Sequence, residues 1–281
     1  MIFREEIRPD AMVAYTGVGF WRCRPTIDGQ CEKPQAVGRQ PIQIPTLFPY
    51  TNLTPTRGVR RHEHFMENVF FEPWVGENYE IGGIFGKRIL VLGESHYCGG
   101  CKNCGDSTNR GECAKFTTEK CIKPYLNGEA GRWGTTFKKF EQTLVEGEID
   151  DNLRKAIWNS VIFYNYLQVS MTQPRQGGLW DDYRRSDDAF FEVLEKYRPQ
   201  LIIAWGVSRL YYNMPGGDKW KDGEEKIIDN YSIRNGYYIL RDNTEVRVIW
   251  IYHPSAGFSS EWWRQVVISE INSFNSQIFK S

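Results

Sequence analysis

Two acid–base side chains stand where apolar runs of the chain end. Glu94 follows Gly93 at the close of "RILVLG", and His253 follows "VIWIY" in the segment "IYHPSAGFS". A carboxylate can place or deprotonate a water, and an imidazole can donate to an oxygen on which charge is developing. Ser95, His96 and Tyr97 complete the stretch "GESHY" around Glu94, and Ser255 stands two residues after His253. Asn165, in "FYNYLQ", carries one donor and one acceptor edge and can pair bidentately with an imide. Tyr97, Phe163 and Tyr164 offer flat faces on which a ring can stack. A second chemistry begins just beyond Tyr97. Cys98, Cys101, Cys104, Cys113 and Cys121 follow the spacing C-x2-C-x2-C-x8-C-x7-C.

These groups cooperate only if the fold brings them together. "KRILVLGES" sets four apolar residues between charged and glycine ends, the pattern of a strand buried on both faces. "QLIIAWG" and "VRVIWIYHPS" repeat that pattern, and "GYYIL" adds a further strand. "LRKAIWNSVIFYNYLQ" begins with helical spacing and ends as a strand. "TTFKKFEQTLVEG" places Phe137, Phe140 and Leu144 at three- and four-residue intervals, predicting a helix. "SDDAFFEVLEKYRP" predicts another, with Ser186 as N-cap, Asp187 and Asp188 in the first turn and Pro199 beyond its end. "SSEWWRQVVISEINSF" predicts a C-terminal helix capped by Ser259 or Ser260, and "HFMENVFF" a short amphipathic helix before the first strand. Strands alternating with helices predict an α/β fold, a three-layer α/β/α sandwich around a mostly parallel central sheet. Ligands of such sheets lie beyond the carboxyl ends of the strands, so the loops after Gly93, Trp205 and Tyr252 should converge on one pocket.

The bulk of the sequence sets limits. Lys plus Arg and Asp plus Glu are 35 each, so a broad phosphate-gripping surface is not expected, only a local basic groove. No run of 18 apolar residues occurs, which predicts no membrane span. The start "MIFREEIRPDAM" lacks the apolar core of a secretory signal, and a cytoplasmic location is expected. Seven cysteines in a reducing compartment point to metal or catalysis rather than disulfides. Residues 1–60, rich in Pro, Gly, Arg and Thr, read as an irregular N-terminal extension with short strands at "MVAYTGVGFW". Residues 61–281 then form the α/β domain. Cys23 and Cys31 in the extension read as plain thiols. His62-Glu63-His64 reads as a solvated segment, because i, i+2 spacing does not set both rings on one helical face.

Within the cysteine cluster, Cys101-Lys102-Asn103-Cys104-Gly105 has the zinc-knuckle form. Cys113 and Cys121 complete a tetrahedral set. The intervening residues are short and polar, which predicts a metal-held insert over residues 98–125. Cys98 is the spare thiol or an alternative ligand. Zinc is the expected metal, with an iron–sulfur cluster as the alternative.

In order and spacing, the segments "VLGESHY", "FYNYLQ", "PQLIIAWG" and "IYHPSAGFS" resemble the motifs of the uracil-DNA glycosylase superfamily, over about residues 70 to 275. That family ends its first strand in forms such as GQDPY, GEAPG or GxNPG, reads the base edge with an Asn, and ends a late strand in His-Pro-Ser. The resemblance implies a DNA glycosylase-like protein acting on or recognising a modified or deaminated base, flipped into the pocket, with DNA or a nucleotide as partner. Glu94 matches the Glu of GEAPG and would handle water. His253 would stabilise the departing base, and Asn165 would read it. Gly93, Ser95, His96, Tyr97, Phe163 and Ser255 would line the pocket. Ser95 and His96 depart from the family's best-known first motif, where an acidic or amide residue and a proline stand. Two other readings remain open. One is a non-catalytic nucleotide- or nucleic-acid-binding module of the same fold. The other is a metal-stabilised hydrolase using Ser95 or Cys98 with a histidine, although Tyr97 breaks the G-x-S-x-G form.

Overall fold

The computed structural model describes residues 66–98 and 113–273. The chain divides between Val59 and Arg60, and every described residue belongs to the second unit. The strands expected at "MVAYTGVGFW", Cys23, Cys31, His62-Glu63-His64, Cys101 and Cys104 lie outside the described residues.

Strand β1 (Trp74–Val75) is followed by two 3-10 turns and β2 (Ile89–Gly93). A π-helical turn at Thr117–Ile122 runs into helix α1 (Lys123–Leu126). Then come α2 (Gly134–Leu144), α3 (Asp151–Trp158), β3 (Val161–Asn165), α4 (Trp180–Tyr197), β4 (Leu201–Trp205) and α5 (Arg209–Asn213). The chain continues through β5 (Trp220–Asp222), the hairpin strands β6 (Ile227–Ile228) and β7 (Tyr231–Ser232), then β8 (Asn235–Ile239), β9 (Glu245–Ile251) and α6 (Ser260–Ser273). Seven strands form one mixed sheet in the order β1-β3-β2-β4-β9-β8-β5. Strands β3, β2, β4 and β9 run parallel, and β1, β8 and β5 pair antiparallel at the flanks.

The continuous apolar runs explain the centre. Register sets Ile162, Leu90, Ile202 and Val248 side by side on one face, and Phe163, Val91, Ile203 and Ile249 on the other. The first row packs with Tyr183, Phe190 and Leu194 of α4. The second packs with Phe137 and Phe140 of α2, Trp158 of α3, and Trp263 and Val266 of α6. Each such side chain contributes about 1.5–3 kcal/mol by leaving water. From β2 the chain moves to β3 on one side, then crosses β2 to reach β4 on the other. In sheets of this kind, such a reversal marks the carboxyl-end position where ligands bind. Among the described residues, no helix is long and apolar enough to cross a membrane.

Two local expectations are corrected. Helix α4 starts at Trp180, not after Ser186. The Asp182 carboxylate accepts the Leu179 amide at 2.8 Å and caps the earlier start, while the Ser186 hydroxyl donates back to the Asp182 carbonyl at 2.6 Å. The described part of "HFMENVFF" is not helical. The amides of Phe70 and Phe71 donate instead to the side-chain oxygen of Gln168, at 2.8 and 2.9 Å. Just beyond Cys121, Ile122 and Tyr125 are buried in the α2/α3 core. At α6, the Ser259 hydroxyl accepts the Trp262 amide at 3.3 Å, which makes Ser259 the capping residue of the two foreseen.

A buried ion pair ties α6 to the sheet. Arg247 on β9 donates to both Glu270 oxygens, at 3.0 and 3.1 Å, and Lys226 reaches the same carboxylate at 3.0 Å. Burial alone would raise the Glu270 carboxyl, but the bonds from Arg247 and Lys226 overcome it and hold it below its usual range. Arg247→Met strips Glu270, which is only 5% exposed, of its bidentate partner. The expected cost is about 3–5 kcal/mol, read as a fall in the urea midpoint. Because the folded pKa is the lower one, this stability is fully present above the unfolded value of about 4.3. It is lost as pH falls through the folded value.

Candidate active site

Four adjacent parallel strands deliver the candidate groups to one end of the sheet. Glu94 leaves β2, Asn165 closes β3, Trp205 closes β4, and His253 follows β9 with Tyr252 between them. Gly93 and Asn165 stand in register on neighbouring strands. A β-carbon on Gly93 would lie 2.1 Å from the Asn165 side-chain oxygen, so glycine is what lets that amide lie across the end of β2. Asn165 is buried.

The Glu94 carboxylate is held on two sides. Arg209, the first residue of α5, donates through Nε to Oε1 at 2.6 Å and through Nη2 to Oε2 at 2.5 Å. The Tyr183 hydroxyl of α4 donates to Oε1 as well. Arg209 Nη1 also donates to the Arg175 carbonyl at 3.2 Å, which ties the loop before α4 into the same cluster. Hydrogen bonding to Glu94 raises the Arg209 guanidinium further above its ordinary value. Burial, reinforced by Glu94, raises the Tyr183 phenol. Glu94 is thus a fixed carboxylate, with its side chain 12% exposed.

His253 is oriented by the residue two positions on. The Ser255 amide donates to Nδ1 at 3.2 Å, and the Ser255 hydroxyl shares a 2.7 Å hydrogen bond with the same nitrogen. An Nδ1 that accepts an amide proton carries none, so the neutral ring is protonated at Nε2. Burial lowers the pKa of this imidazole; nearby Arg209 adds to the effect and Glu94 opposes it. The Trp205 ring stands edge-on to His253 at 5.8 Å, and its buried indole N–H has no partner among the described residues. Together these groups present an imidazole N–H donor, a carboxylate clamped by Arg209 and a buried amide at one end of the sheet.

The other candidates are placed differently. His96 is buried between Phe71, at 4.7 Å, and Phe116, at 4.9 Å, and its Nε2 shares a 3.0 Å hydrogen bond with Thr117. Burial drives its pKa down to about 3, so it is a neutral core imidazole that anchors the end of the insert. The Ser95 hydroxyl is buried without a partner among the described residues, so neither histidine is bonded to it. Tyr97 is partly exposed and bridges to Met171. Phe163 lies in the core against Phe137, Trp158 and Trp205, at 5.4, 5.8 and 5.3 Å. Ser255 works as the orienting partner of His253. Cys98 is exposed, and Cys113 and Cys121 are half-buried. Burial pushes the Cys121 thiol up to about 12. Among the described residues, no group of three or more His, Cys, Asp or Glu is arranged to hold a metal. A cavity of about 460 Å³ lies elsewhere, between α4 and β8, lined by Asp188, Glu192, Asp218, Lys219 and Arg241.

Arg209 and Tyr183 were not among the residues singled out from the sequence. A signal for Arg209 is present, since it stands four residues beyond the end of an apolar strand run, in "AWGVSR". Tyr183 lies in a helix and carries no such mark. The chain matches no protein-family model, and no curated protein matches it.

Proposed function

We propose that this protein is a DNA glycosylase-like enzyme of three-layer α/β/α architecture that excises a modified or deaminated base. The observation carrying this reading is the His253 imidazole, protonated at Nε2, at the same end of the sheet as the fixed Glu94 carboxylate and the Asn165 amide. A base flipped from its strand enters the crevice, and Asn165 pairs with its edge. As the bond from the base to the sugar C1′ breaks, negative charge collects on the base and the His253 Nε2–H donates to it. Glu94 holds the water that attacks C1′. Arg209 and Tyr183 keep the carboxylate in place. Asn165→Asp, which replaces a donor by an acceptor, is expected to lower release of the original base about 10-fold or more, read by comparing kcat/KM across a panel of bases.

A second reading draws on one specific feature. Both Glu94 oxygens are already engaged by Arg209, as a binding module that never cleaves would allow. Binding of damaged DNA without base release would favour it. The serine-hydrolase reading rests on Ser95, and no histidine among the described residues is bonded to that hydroxyl.

The Cys-rich insert belongs to the same proposal as a zinc site, with Cys101, Cys104, Cys113 and Cys121 as ligands and Cys98 as the alternative. The described thiols alone do not make the site, which depends on Cys101 and Cys104. Elemental analysis of the purified chain is expected to find about one zinc in a colourless protein. A brown protein absorbing near about 400 nm would assign an iron–sulfur cluster instead.

A further inference from the structure

The side chain of Gln168 is buried, and its hydrogen bonds converge on the turn that follows β3. Its Oε1 accepts the amides of Phe70 and Phe71 at 2.8 and 2.9 Å. Those amides can only donate, which sets the other end of the side chain, Nε2, against oxygens. Nε2 donates to the Tyr164 hydroxyl at 2.7 Å and to the Asn165 and Tyr166 carbonyls at 3.4 and 3.3 Å. The backbone amide of Gln168 donates to the Ser186 hydroxyl of α4 at 3.1 Å. The same turn is tied to β2 and its loop. The Tyr166 amide donates to the Gly93 carbonyl at 3.0 Å, and the Leu167 amide to the Glu94 carbonyl at 2.9 Å. Asn165 is therefore held by two clamps, one of backbone and one made by a single side chain.

We propose that Gln168 is the positioning residue for Asn165. Its Nε2 fixes the Asn165 and Tyr166 carbonyls, and so the direction from which the Asn165 amide meets a base edge. The proposal rests on the base-excision reading for what Asn165 meets. It adds the residue on which selection among bases depends. Gln168 touches no base and acts only through Asn165. Two observations favour this role over simple filling of space. The bonds of Nε2 go to three successive residues centred on Asn165. Room at that position is also small: a β-carbon on Gly93 would lie 2.1 Å from the Asn165 side-chain oxygen, so the place of the amide follows from where the backbone of β3 is held. A bidentate pair needs both of its hydrogen bonds nearly straight, and a small rotation of Asn165 weakens the two together.

The test uses the full chain and Gln168→Glu. Glutamate keeps an oxygen for the Phe70 and Phe71 amides, and the Tyr164 hydroxyl can turn to donate to it. Only the Asn165 and Tyr166 carbonyls lose their donor. With 15N-asparagine labelling, the Asn165 side-chain signal is identified by its absence from Asn165→Asp, and it is expected to move in Gln168→Glu. In parallel, kcat/KM on the better of uracil- and hypoxanthine-containing single strands is expected to fall about 10-fold and on the poorer one less, so that discrimination narrows. Ser186→Ala removes the partner of the Gln168 backbone amide and is the structural control. Its urea midpoint is expected to fall while the Asn165 signal and the discrimination stay as in wild type. An Asn165 signal that does not move in Gln168→Glu, or moves equally in Ser186→Ala, overturns the proposal. So does an equal loss on both substrates. If Gln168→Glu does not fold, the wild type decides through 15N-glutamine labelling. The Gln168 Nε2 protons are expected to exchange with water about 100-fold more slowly than those of exposed Gln173, and equal exchange overturns the proposal. If the wild type releases no base, the excision reading falls and the Asn165 signal alone decides whether Gln168 places that residue.

Discussion

His253→Ala is expected to lower base release by about 10²–10³-fold at saturating DNA, with little change in binding. The wild-type ring is held by Ser255 with its proton on Nε2, so a donor is in place before the bond to the base begins to break. Alanine removes the donor and leaves the departing base to carry its charge unaided. His253→Gln, which keeps an N–H donor on a different stem, should recover part of the loss. The pH profile carries a second signature. Burial lowers the imidazole pKa, so the active neutral form persists below the free-imidazole value of about 6.5. Activity should therefore be level through neutral pH and fall only as pH drops through the lowered value. Mutants of Ser255 that release the ring should move that fall toward 6.5. An acid limb that stays in place in His253→Gln would assign it to another group.

Glu94→Gln is expected to reduce kcat by about 10²–10⁴-fold, the range for loss of a general base or water-positioning carboxylate. The amide has nearly the same shape, so packing around Gly93 and Asn165 is retained. What changes is charge. Glutamine can accept one hydrogen bond from Arg209 but cannot answer both Nε and Nη2 as a carboxylate does. Arg209→Met serves as the companion variant, since it keeps the carboxylate and its bond from Tyr183 while removing the clamp. A catalytic Glu94 predicts a larger kcat loss in Glu94→Gln than in Arg209→Met. A Glu94 that only braces α4 and α5 predicts that the two variants shift the urea midpoint together and leave kcat within a few-fold of wild type.

The parts of this site that were legible in the sequence are those that local pattern determines. Unbroken apolar runs announced β2, β3, β4 and β9, and residues just past such runs must emerge at the carboxyl end of a parallel sheet. That is why Glu94, Asn165 and His253 emerge at the same end of the sheet despite their separation along the chain. Sequence neighbours of these residues proved poor guides. His96 is two residues from Glu94, yet it is drawn into the apolar contact of Phe71 and Phe116, which a reading of "GESHY" alone does not reveal. Phe163 carries the aromatic face the pocket wanted, but strand alternation turns it into the α2/α3 core. Arg209 and Tyr183 reach Glu94 only through tertiary packing of α4 and α5, and no local period marks them. Ser186 looked like a helix cap by composition and lost that role to Asp182, four residues earlier, whose carboxylate reaches the free amide of Leu179.

The central claim is that the crevice between Glu94, Asn165 and His253 releases a base. The most direct measurement incubates the full chain with single-stranded DNA carrying a single uracil or hypoxanthine and detects the free base by chromatography, with alkaline cleavage to reveal the abasic site. The account predicts free base and a matching abasic site from at least one of these substrates, both lost in His253→Ala. Intact DNA after exhaustive incubation with a folded, metal-replete chain, across both substrates and a wider panel of damaged bases, would contradict it.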